Sequence, residues 1–195
     1  MKITVIIPSK GNYNQEHSKI LKKDYRDIKI IVIEKRYIAE AYNIGIREAK
    51  TDIIITFHED CLPKTKFFFK KLIEPLSDSK CVASMAKVYD YYSHKKYYPL
   101  LDGKATAYKK SILAKVGYFD EKTFKTGGED FDIYMKLKKH GYIAYPECTI
   151  IHKHKNHKNQ IKTNQIARAN GVLFRKYGFY LPNWHKCILL ANPIN

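Results

Sequence analysis

The residue types that could do chemistry are concentrated first at His58-Glu59-Asp60. This tripeptide follows residues 53–57, an apolar and mostly β-branched run that is typical of a strand buried on both faces. In open α/β sheets, ligands bind just beyond the carboxyl ends of the strands, and hard cations such as Mg²⁺ or Mn²⁺ prefer carboxylate oxygens. The segment therefore predicts a divalent-metal site for a phosphorylated ligand. Taken alone, it is more simply a polar turn in which Asp60 caps the next element of the chain.

A second acidic group consists of Glu129, Asp130 and Asp132, which follow two glycines within residues 126–140. The apolar spacing of that segment predicts a helix. Carboxylates in a first helical turn are stabilised by the helix dipole, which requires no function. The same position also holds a carboxylate at the mouth of a rigid element, where a general base would be useful. The residues alone leave both interpretations open.

Three histidines, His152, His154 and His157, lie at or after the end of a predicted strand. Imidazole nitrogens are common metal ligands, so any of the three could bind a metal. Residues 152–162 are also strongly basic and polar, which is typical of a solvated loop. We expect the loop interpretation to hold for at least two of the three.

The elements that must position these groups begin with a β-α-β-α-β order joined by short links. This order predicts an α/β fold with a mostly parallel central sheet and right-handed crossovers. Two of its three strands end at acidic groups, Glu34 and the 58–60 cluster. The predicted strands and helices are residues 2–8, 16–25, 27–34, 37–50 and 53–57.

The second part of the chain predicts a less regular series of elements. Residues 89–99 are rich in tyrosine and lysine, and they fit either an acceptor-binding flap or, slightly better, an exposed hairpin or loop. The predicted helices are 64–77, 110–116, 126–140 and 165–177, and the predicted extended segments are 81–89, 102–108 and 142–151.

Length and composition restrict the class of protein. The 195 residues favour one domain, and the hydrophobic fraction of 45% favours a globular chain. No segment is long and apolar enough for a membrane span, no signal peptide is evident, and the four cysteines are scattered, so we expect a cytoplasmic protein with reduced thiols. The net charge of +17 would attract nucleic acid, an anionic membrane or anionic small molecules.

Four segments together resemble an inverting, nucleotide-sugar-dependent glycosyltransferase of family 2, with the GT-A fold. The resemblance covers roughly residues 3–154 and rests on the order and spacing of the segments. They are ITVIIPSKGN, AYNIGIREAKTDIIITFHEDCLP, GKATAYKKSILAKVGYFDE and GGEDFDIYMKLKKHGYIAYPECTIIH. The resemblance implies one GT-A domain over residues 1–195, with a donor and metal half (1–100), an acceptor and base half (101–160) and a C-terminal helix and tail (161–195).

The resemblance also implies roles for individual residues. Asp60 matches the last acid of the family's DxD motif, which binds the Mn²⁺ or Mg²⁺ ion on the donor diphosphate, and His58 or Glu59 stands at the first acid. His152 matches a position that meets the metal or the diphosphate in some relatives. Asp130 matches the catalytic base, and Glu129 beside it matches a positioning group.

The nucleotide-sugar would contact residues at the ends of the first two strands and on the second helix. Besides Asp60, the residues that the resemblance assigns to this contact are Pro8, Ser9, Lys10, Glu34 and Asn43. The implied donor is a UDP-sugar by default, with a hexosyl or N-acetylhexosaminyl group. The implied acceptor is a glycan, a lipid-linked sugar or a protein.

The basic charge leaves an alternative function open, namely binding of nucleic acid or an anionic membrane on a degenerate GT-A fold. Sixteen tyrosines in a basic chain could stack on bases. We expect the charge to serve peripheral contact with the cytoplasmic face of an anionic membrane rather than nucleic-acid binding.

Overall fold

The computed structural model describes residues 1–35, 37–99, 101–124, 127–153, 160–178 and 188–189. Within them lie β1 (Ile3–Ser9), β2 (Ile28–Glu34), β3 (Ile53–Phe57), β4 (Cys61–Pro63), β5 (Cys81–Met85), β6 (Lys87–Asp90), β7 (Lys96–Pro99), β8 (Ala105–Lys109), β9 (Tyr142–Ala144), β10 (Thr149–His152) and β11 (Ile188–Leu189).

The helices lie between these strands. They are α1 (Gln15–Asp24), α2 (Ile38–Glu48), α3 (Phe68–Ile73) with a 3₁₀ turn over Glu74–Ser77, α4 (Lys110–Lys115), α5 (Glu129–Leu137) and α6 (Gln160–Tyr177). In the part of the chain that the structure describes, none of them combines the length and the apolar character that crossing a bilayer requires.

The central sheet has six strands in the order β2-β1-β3-β8-β5-β9. β1 pairs in parallel with β2 and β3, and β5 pairs in parallel with β9, whereas β8 runs antiparallel to both of its neighbours. Helices α1 and α2 make the crossovers that parallel neighbours require. The predicted α/β fold with a mostly parallel central sheet flanked by helices is confirmed.

Both faces of this sheet are covered, as β1 illustrates. Its alternate residues Ile3, Val5 and Ile7 belong to one core cluster and Ile6 to another, because successive side chains of a strand point to opposite faces. The first cluster includes side chains of α1 and α3, and the second includes side chains of α2, α4 and α5. Burying each such isoleucine fully contributes about 1.5–3 kcal/mol to folding.

A second sheet, which the sequence did not predict, has the order β11-β7-β6-β10-β4. Its residues Cys61, Val88 and Ile150 belong to the same core cluster as α1 and α3, so it packs on that side of the central sheet. In the register of this sheet, His152 of β10 lies opposite Cys61 of β4 on one side and opposite Asp90 of β6 on the other.

Two predicted single strands were wrong in their extent. Residues 81–89 form β5 and β6, and residues 142–151 form β9 and most of β10, with the two members of each pair in different sheets. The chain changes sheet at Ala86, whose N–H donates to the Ala105 carbonyl, and again at a turn in which the Cys148 N–H donates to the Pro146 carbonyl. Proline favours such a break because it has no N–H to donate.

Three other predictions differ from the structure mainly in their bounds. The helix predicted over residues 64–77 begins only at Phe68, and the helix predicted over 165–177 begins at Gln160, inside the predicted basic loop. Residues 89–99 overlap the β6–β7 hairpin, in which Tyr91 and Tyr92 are exposed. His154, His157 and most of the tail, including Trp184, lie outside the described residues.

Candidate active site

The turn His58–Asp60 joins β3 of the central sheet to β4 of the second sheet, and backbone bonds hold it on both sides. The His58 N–H donates to the Lys104 carbonyl (3.2 Å), and the Lys153 N–H donates to the Asp60 carbonyl (2.9 Å). The Cys61 N–H closes the turn on the His58 carbonyl (3.2 Å). The acid predicted at the end of the central strand is therefore held in place by the loop before β8 and by the end of β10.

The second sheet then brings His152 to Asp60. Because His152 lies opposite Cys61, its imidazole reaches the neighbouring Asp60, with Nε2 3.5 Å from Oδ2. Asp60, Cys61 and His152 each offer one ligand atom, and these atoms all lie within 4.8 Å of one another. Of the predicted metal ligands, the structure thus brings Asp60 and His152 together.

The chemistry of this group fits a divalent cation. Carboxylate oxygen suits Mn²⁺ and Mg²⁺, and imidazole nitrogen suits transition metals. Cys61 is a poor ligand for either ion, because burial, and then the charge of Asp60, raise the pKa of its thiol well above the ordinary value. The thiol instead donates to Asp60 Oδ1 (3.6 Å).

His58 is the better of the two candidates for the first acid of the motif. Its Nδ1 lies 4.0 Å from Asp60 Oδ1, whereas Glu59 is exposed. Burial, and then the Lys104 charge, lower the pKa of His58 to about 4. The imidazole is therefore neutral at physiological pH, which is the form that binds metals.

The second acidic group lies at the start of α5, as predicted. Gly128 precedes it with φ +96°, and a Cβ there would lie 2.7 Å from the Phe124 ring, so only glycine fits this position. Asp130 Oδ1 accepts a hydrogen bond from the Gly103 N–H (3.1 Å), and Glu129 is 6% exposed. The two carboxyl groups are therefore held at a fixed helix start beside the loop before β8.

These two carboxyl groups hold their protons more tightly than ordinary acids. Burial raises the pKa of Glu129 to about 7, and the charge of Asp102 adds to the effect. The pKa of Asp130 is raised well above its ordinary value by burial, then by Glu129 and Asp102. A carboxyl group whose pKa is raised becomes a stronger base once it is ionised, which suits a general base.

The loop Asp102–Lys104 joins the two acidic groups, and sequence reasoning did not assign it a role. Its Lys104 carbonyl holds the His58 turn, and its Gly103 N–H holds Asp130. Lys104 and Asp102 form an ion pair. Burial raises the pKa of Asp102, but the Lys104 ammonium and other neighbouring groups outweigh this effect, so the pKa of Asp102 lies below its ordinary value. An acid and a glycine at the start of the predicted extended segment 102–108 were the available signal.

Asp90 is a second residue that sequence reasoning missed. It ends β6, and its Oδ2 lies 3.6 Å from His152 Nδ1. The signal for it was the one used for Glu34 and Asp60, because Asp90 directly follows the predicted strand 81–89.

Four of the predicted nucleotide contacts lie together at the ends of β1 and β2. Ser9 is paired with Glu34, and the Lys35 N–H donates to the Ser9 carbonyl (3.2 Å). Ser9 is buried and its Oγ accepts from the Gly11 N–H (3.3 Å), whereas Lys10 and Glu34 are exposed and Pro8 is partly exposed. Their contact with a nucleotide stays a prediction.

The geometry argues against the fifth contact, Asn43. Its amide nitrogen donates to the Phe119 carbonyl (2.8 Å) and to Glu121 Oε2 (2.7 Å), and its amide oxygen accepts from the Phe119 N–H (3.1 Å). The side chain is buried and fully used in holding the chain after α4 against α2. Its amide therefore contributes to the fold, and its contact with a nucleotide stays a prediction.

Comparison with known proteins places this arrangement among glycosyltransferase structures. Mannosyltransferase PcManGT from Pyrobaculum calidifontis, in complex with GDP-Man and Mn²⁺, is similar with a TM-score of 0.66 and 14% identity, over 93% of this chain and 66% of that chain. GalNAc-T7 with UDP, GalNAc and Mn²⁺ gives 0.62 and 14% identity, over 91% of this chain and 49% of that chain. The catalytic domain of Drosophila β1,4-galactosyltransferase 7 in complex with xylobiose gives 0.59 and 14%, over 84% and 78%.

At these identities the similarity shows a shared fold, and the chain spans less than two thirds of the length of the first two proteins. No curated protein sequence matches the chain significantly. The model of the family described as "Glycosyl transferase family 2" matches residues 6–158, a range that contains both acidic groups and the loop between them. The chain therefore belongs to glycosyl transferase family 2.

Proposed function

We propose that the protein transfers a sugar from a nucleoside-diphosphate sugar to an acceptor hydroxyl, with inversion at the anomeric carbon and with the help of a divalent cation. One observation carries the proposal. The loop Asp102–Lys104 binds the His58–Asp60 turn through one backbone group and the Asp130 carboxylate through another. A cation-binding acid and a candidate base thus flank one loop, as a reaction between a diphosphate donor and a hydroxyl acceptor requires.

Asp60 and His152 are the residues that would hold the cation, with His58 beside them. The bound cation would supply Lewis-acid stabilisation of the negative charge on the departing diphosphate. The mixed carboxylate and imidazole set favours Mn²⁺ over Mg²⁺, which prefers an all-oxygen shell. Mn²⁺ is also the ion named with PcManGT and GalNAc-T7.

Asp130 is the candidate catalytic base. The Gly103 N–H fixes the position of its Oδ1, so the carboxylate can accept the proton of an acceptor hydroxyl placed beside it. Attack from the face opposite the leaving group inverts the anomeric centre. Because the pKa of Asp130 is raised by burial, then by Glu129 and Asp102, the rate should increase with pH until the carboxyl is ionised.

The donor would bind along the ends of β1 and β2, where Pro8, Ser9, Lys10 and Glu34 lie. UDP is the default nucleotide of the donor, and GDP is the next candidate. PcManGT is in complex with GDP-Man, and GalNAc-T7 is described with UDP. The transferred group would be a hexose or an N-acetylhexosamine.

The acceptor would approach from the β6–β7 hairpin. Tyr91 and Tyr92 are exposed there and contact each other edge to face, with centroids 5.3 Å apart, and Lys153 lies 5.8 Å from the centre of the Tyr91 ring. Aromatic rings of this kind offer a flat apolar surface for a sugar ring. A glycan, a lipid-linked sugar or a glycosylated protein would present such a ring.

The test is calorimetric titration of UDP and then GDP, each with and without Mn²⁺. We expect one nucleotide to bind only with Mn²⁺, and we expect Asp60→Asn to lose that binding. Glu59→Gln is the matched control, since Glu59 lies in the same turn but is exposed. Absence of binding by either nucleotide, with or without Mn²⁺, would contradict the proposal.

The net charge of +17 supports a second proposal, that the protein works on the cytoplasmic face of an anionic membrane. Co-sedimentation with vesicles of neutral lipid and of neutral lipid plus phosphatidylserine would test it. We expect binding only to the anionic vesicles, weakened by salt. Equal binding to both kinds of vesicle would reject the idea.

A further inference from the structure

The imidazole of His152 lies between two carboxylates. Its Nε2 is 3.5 Å from Asp60 Oδ2, and its Nδ1 is 3.6 Å from Asp90 Oδ2. His152 and Asp90 are both largely buried, with side chains 8% and 13% exposed. The proposed function uses Asp60 and His152 but gives no role to Asp90.

Asp90 is held in a fixed orientation toward His152. Its Oδ1 accepts from the N–H and from the Oγ of Ser93, both at 2.8 Å, so the turn of the hairpin fixes one carboxylate oxygen and leaves Oδ2 facing the imidazole. The sheet register places Asp90 opposite His152, and the Tyr91 N–H donates to the His152 carbonyl (3.0 Å). Both the side chain and the backbone of this segment therefore locate the histidine.

Both ring nitrogens face a carboxylate, and a cation shared with Asp60 would need the lone pair of Nε2, so the proton of the neutral imidazole would then lie on Nδ1, facing Asp90. With Nδ1–H directed at Asp90, Nε2 has its lone pair directed toward Asp60, where a cation can accept it. From this geometry we infer that Asp90 is a positioning residue, which orients His152 and fixes its tautomer for a divalent cation shared with Asp60. The inference rests on the proposed cation site and adds a residue to it.

The substitution Asp90→Asn tests this role closely. The amide oxygen can keep the bond from the Ser93 N–H, so the amide NH₂ takes the place of Oδ2. An NH₂ group donates, which favours a proton on Nε2 and removes the lone pair from the cation site. Outer-shell partners of metal-binding histidines typically contribute 10- to 100-fold in metal affinity, so we expect Mn²⁺ to bind about 10-fold or more weakly.

Two variants separate this role from that of a turn residue. Ser93→Ala removes the Oγ bond to Asp90 Oδ1 but keeps the carboxylate and the bond from the backbone N–H, which still orients Asp90, so Mn²⁺ affinity should stay within about twofold of wild type. Asp78→Asn makes the same substitution in a comparable turn, where Asp78 Oδ1 accepts from the Lys80 N–H (2.8 Å). It should leave Mn²⁺ affinity unchanged.

The measurement is titration of the full chain with Mn²⁺ alone, followed by the electron paramagnetic resonance signal of free Mn²⁺, with thermal unfolding of each metal-free variant alongside. If Asp90→Asn does not fold, Asp90→Ser carries the same test, because serine can also accept from the Ser93 N–H but is too short to reach His152. A weaker Mn²⁺ affinity in the folded Asp90 variant, with wild-type Mn²⁺ affinity in Ser93→Ala and Asp78→Asn, supports the inference.

Three results would overturn it. Wild-type affinity in the Asp90 variant would show that His152 needs no such partner, while the cation site itself stands. An equal loss in Ser93→Ala would assign the effect to the turn. Absence of Mn²⁺ binding by the wild-type chain would remove the cation from the proposed function and the inference with it.

Discussion

The buried carboxyl of Glu129 gives a stability prediction that can be worked out numerically. Glu129 is 6% exposed, its Oε2 has no hydrogen-bond partner among the described residues, and its pKa is raised from 4.5 to about 7. Burial is the main cause, since it penalises the charged form, and the negative charge of Asp102 adds to it. The folded protein therefore binds this proton more tightly than the unfolded chain does.

Proton linkage gives the sign of the effect. Stability from this group is fully present below the unfolded pKa and is lost as the pH rises through the folded pKa. With pKa values of 4.5 and about 7, the free energy of unfolding should fall by about 2–3 kcal/mol between about pH 5 and pH 8 through Glu129 alone, at about 1.4 kcal/mol per pKa unit. Glu129→Gln keeps the shape and cannot ionise, so it should remove this part of the pH dependence.

The assay is urea unfolding of the wild type and the variant at about pH 5 and pH 8. We expect the variant to gain about 2–3 kcal/mol relative to the wild type between the two pH values. Glu48→Gln, a substitution at an exposed position at the end of α2, is the control and should show no such gain. An identical pH dependence in wild type and Glu129→Gln would refute the reasoning that Glu129 is protonated in the folded site.

Three further predictions concern the candidate base Asp130, the predicted nucleotide contact Asn43 and the loop Asp102–Lys104. Asp130→Asn should lower the transfer rate by about 10²- to 10⁴-fold and leave nucleotide affinity near wild type, because a base acts on the acceptor proton; full turnover would exclude Asp130 as the base. Asn43→Ala should lower the free energy of unfolding by about 1–3 kcal/mol through lost buried hydrogen bonds, with nucleotide affinity unchanged; a selective loss of nucleotide binding would restore its predicted role. Gly103→Ala should destabilise by about 1–3 kcal/mol, measured by urea unfolding, because the new Cβ would lie 2.3 Å from the Tyr42 hydroxyl oxygen; unchanged stability would show that the loop can move freely.

The central sheet could be predicted because a local sequence pattern marks each of its parallel strands. Residues 2–8 and 53–57 are mostly apolar and β-branched, and such runs between helical segments are typical of buried parallel strands. The acids at the ends of these strands follow from the same pattern, since parallel strands end at one edge of the sheet. Asp60 was found in this way, whereas Asp130 was found at the start of a predicted helix, and the family resemblance added the roles of both.

The second sheet could not be predicted because its strands are short and pair with strands far away in the sequence. β4, β6 and β10 have only three or four residues each, too few for a periodic pattern to be recognised. Their pairing joins residues far apart in the chain, such as Cys61 with His152. The contact between Asp60, His152 and Asp90 is a product of that register, so sequence reasoning could name His152 as a ligand without finding the carboxylate on its other side.

The loop Asp102–Lys104 helps to set the distance between the two acidic groups of the site. The Tyr42 hydroxyl donates to the Gly103 carbonyl (2.9 Å), and there is no space for a side chain at Gly103. Helix α2 therefore sets the position of the loop, and the loop in turn sets the positions of the His58 turn and of Asp130. Because one backbone segment holds both groups, a shift of the loop must displace the cation-binding turn and the base together. Changes at Gly103 should accordingly affect nucleotide binding and transfer in parallel, whereas changes at Asp130 separate them.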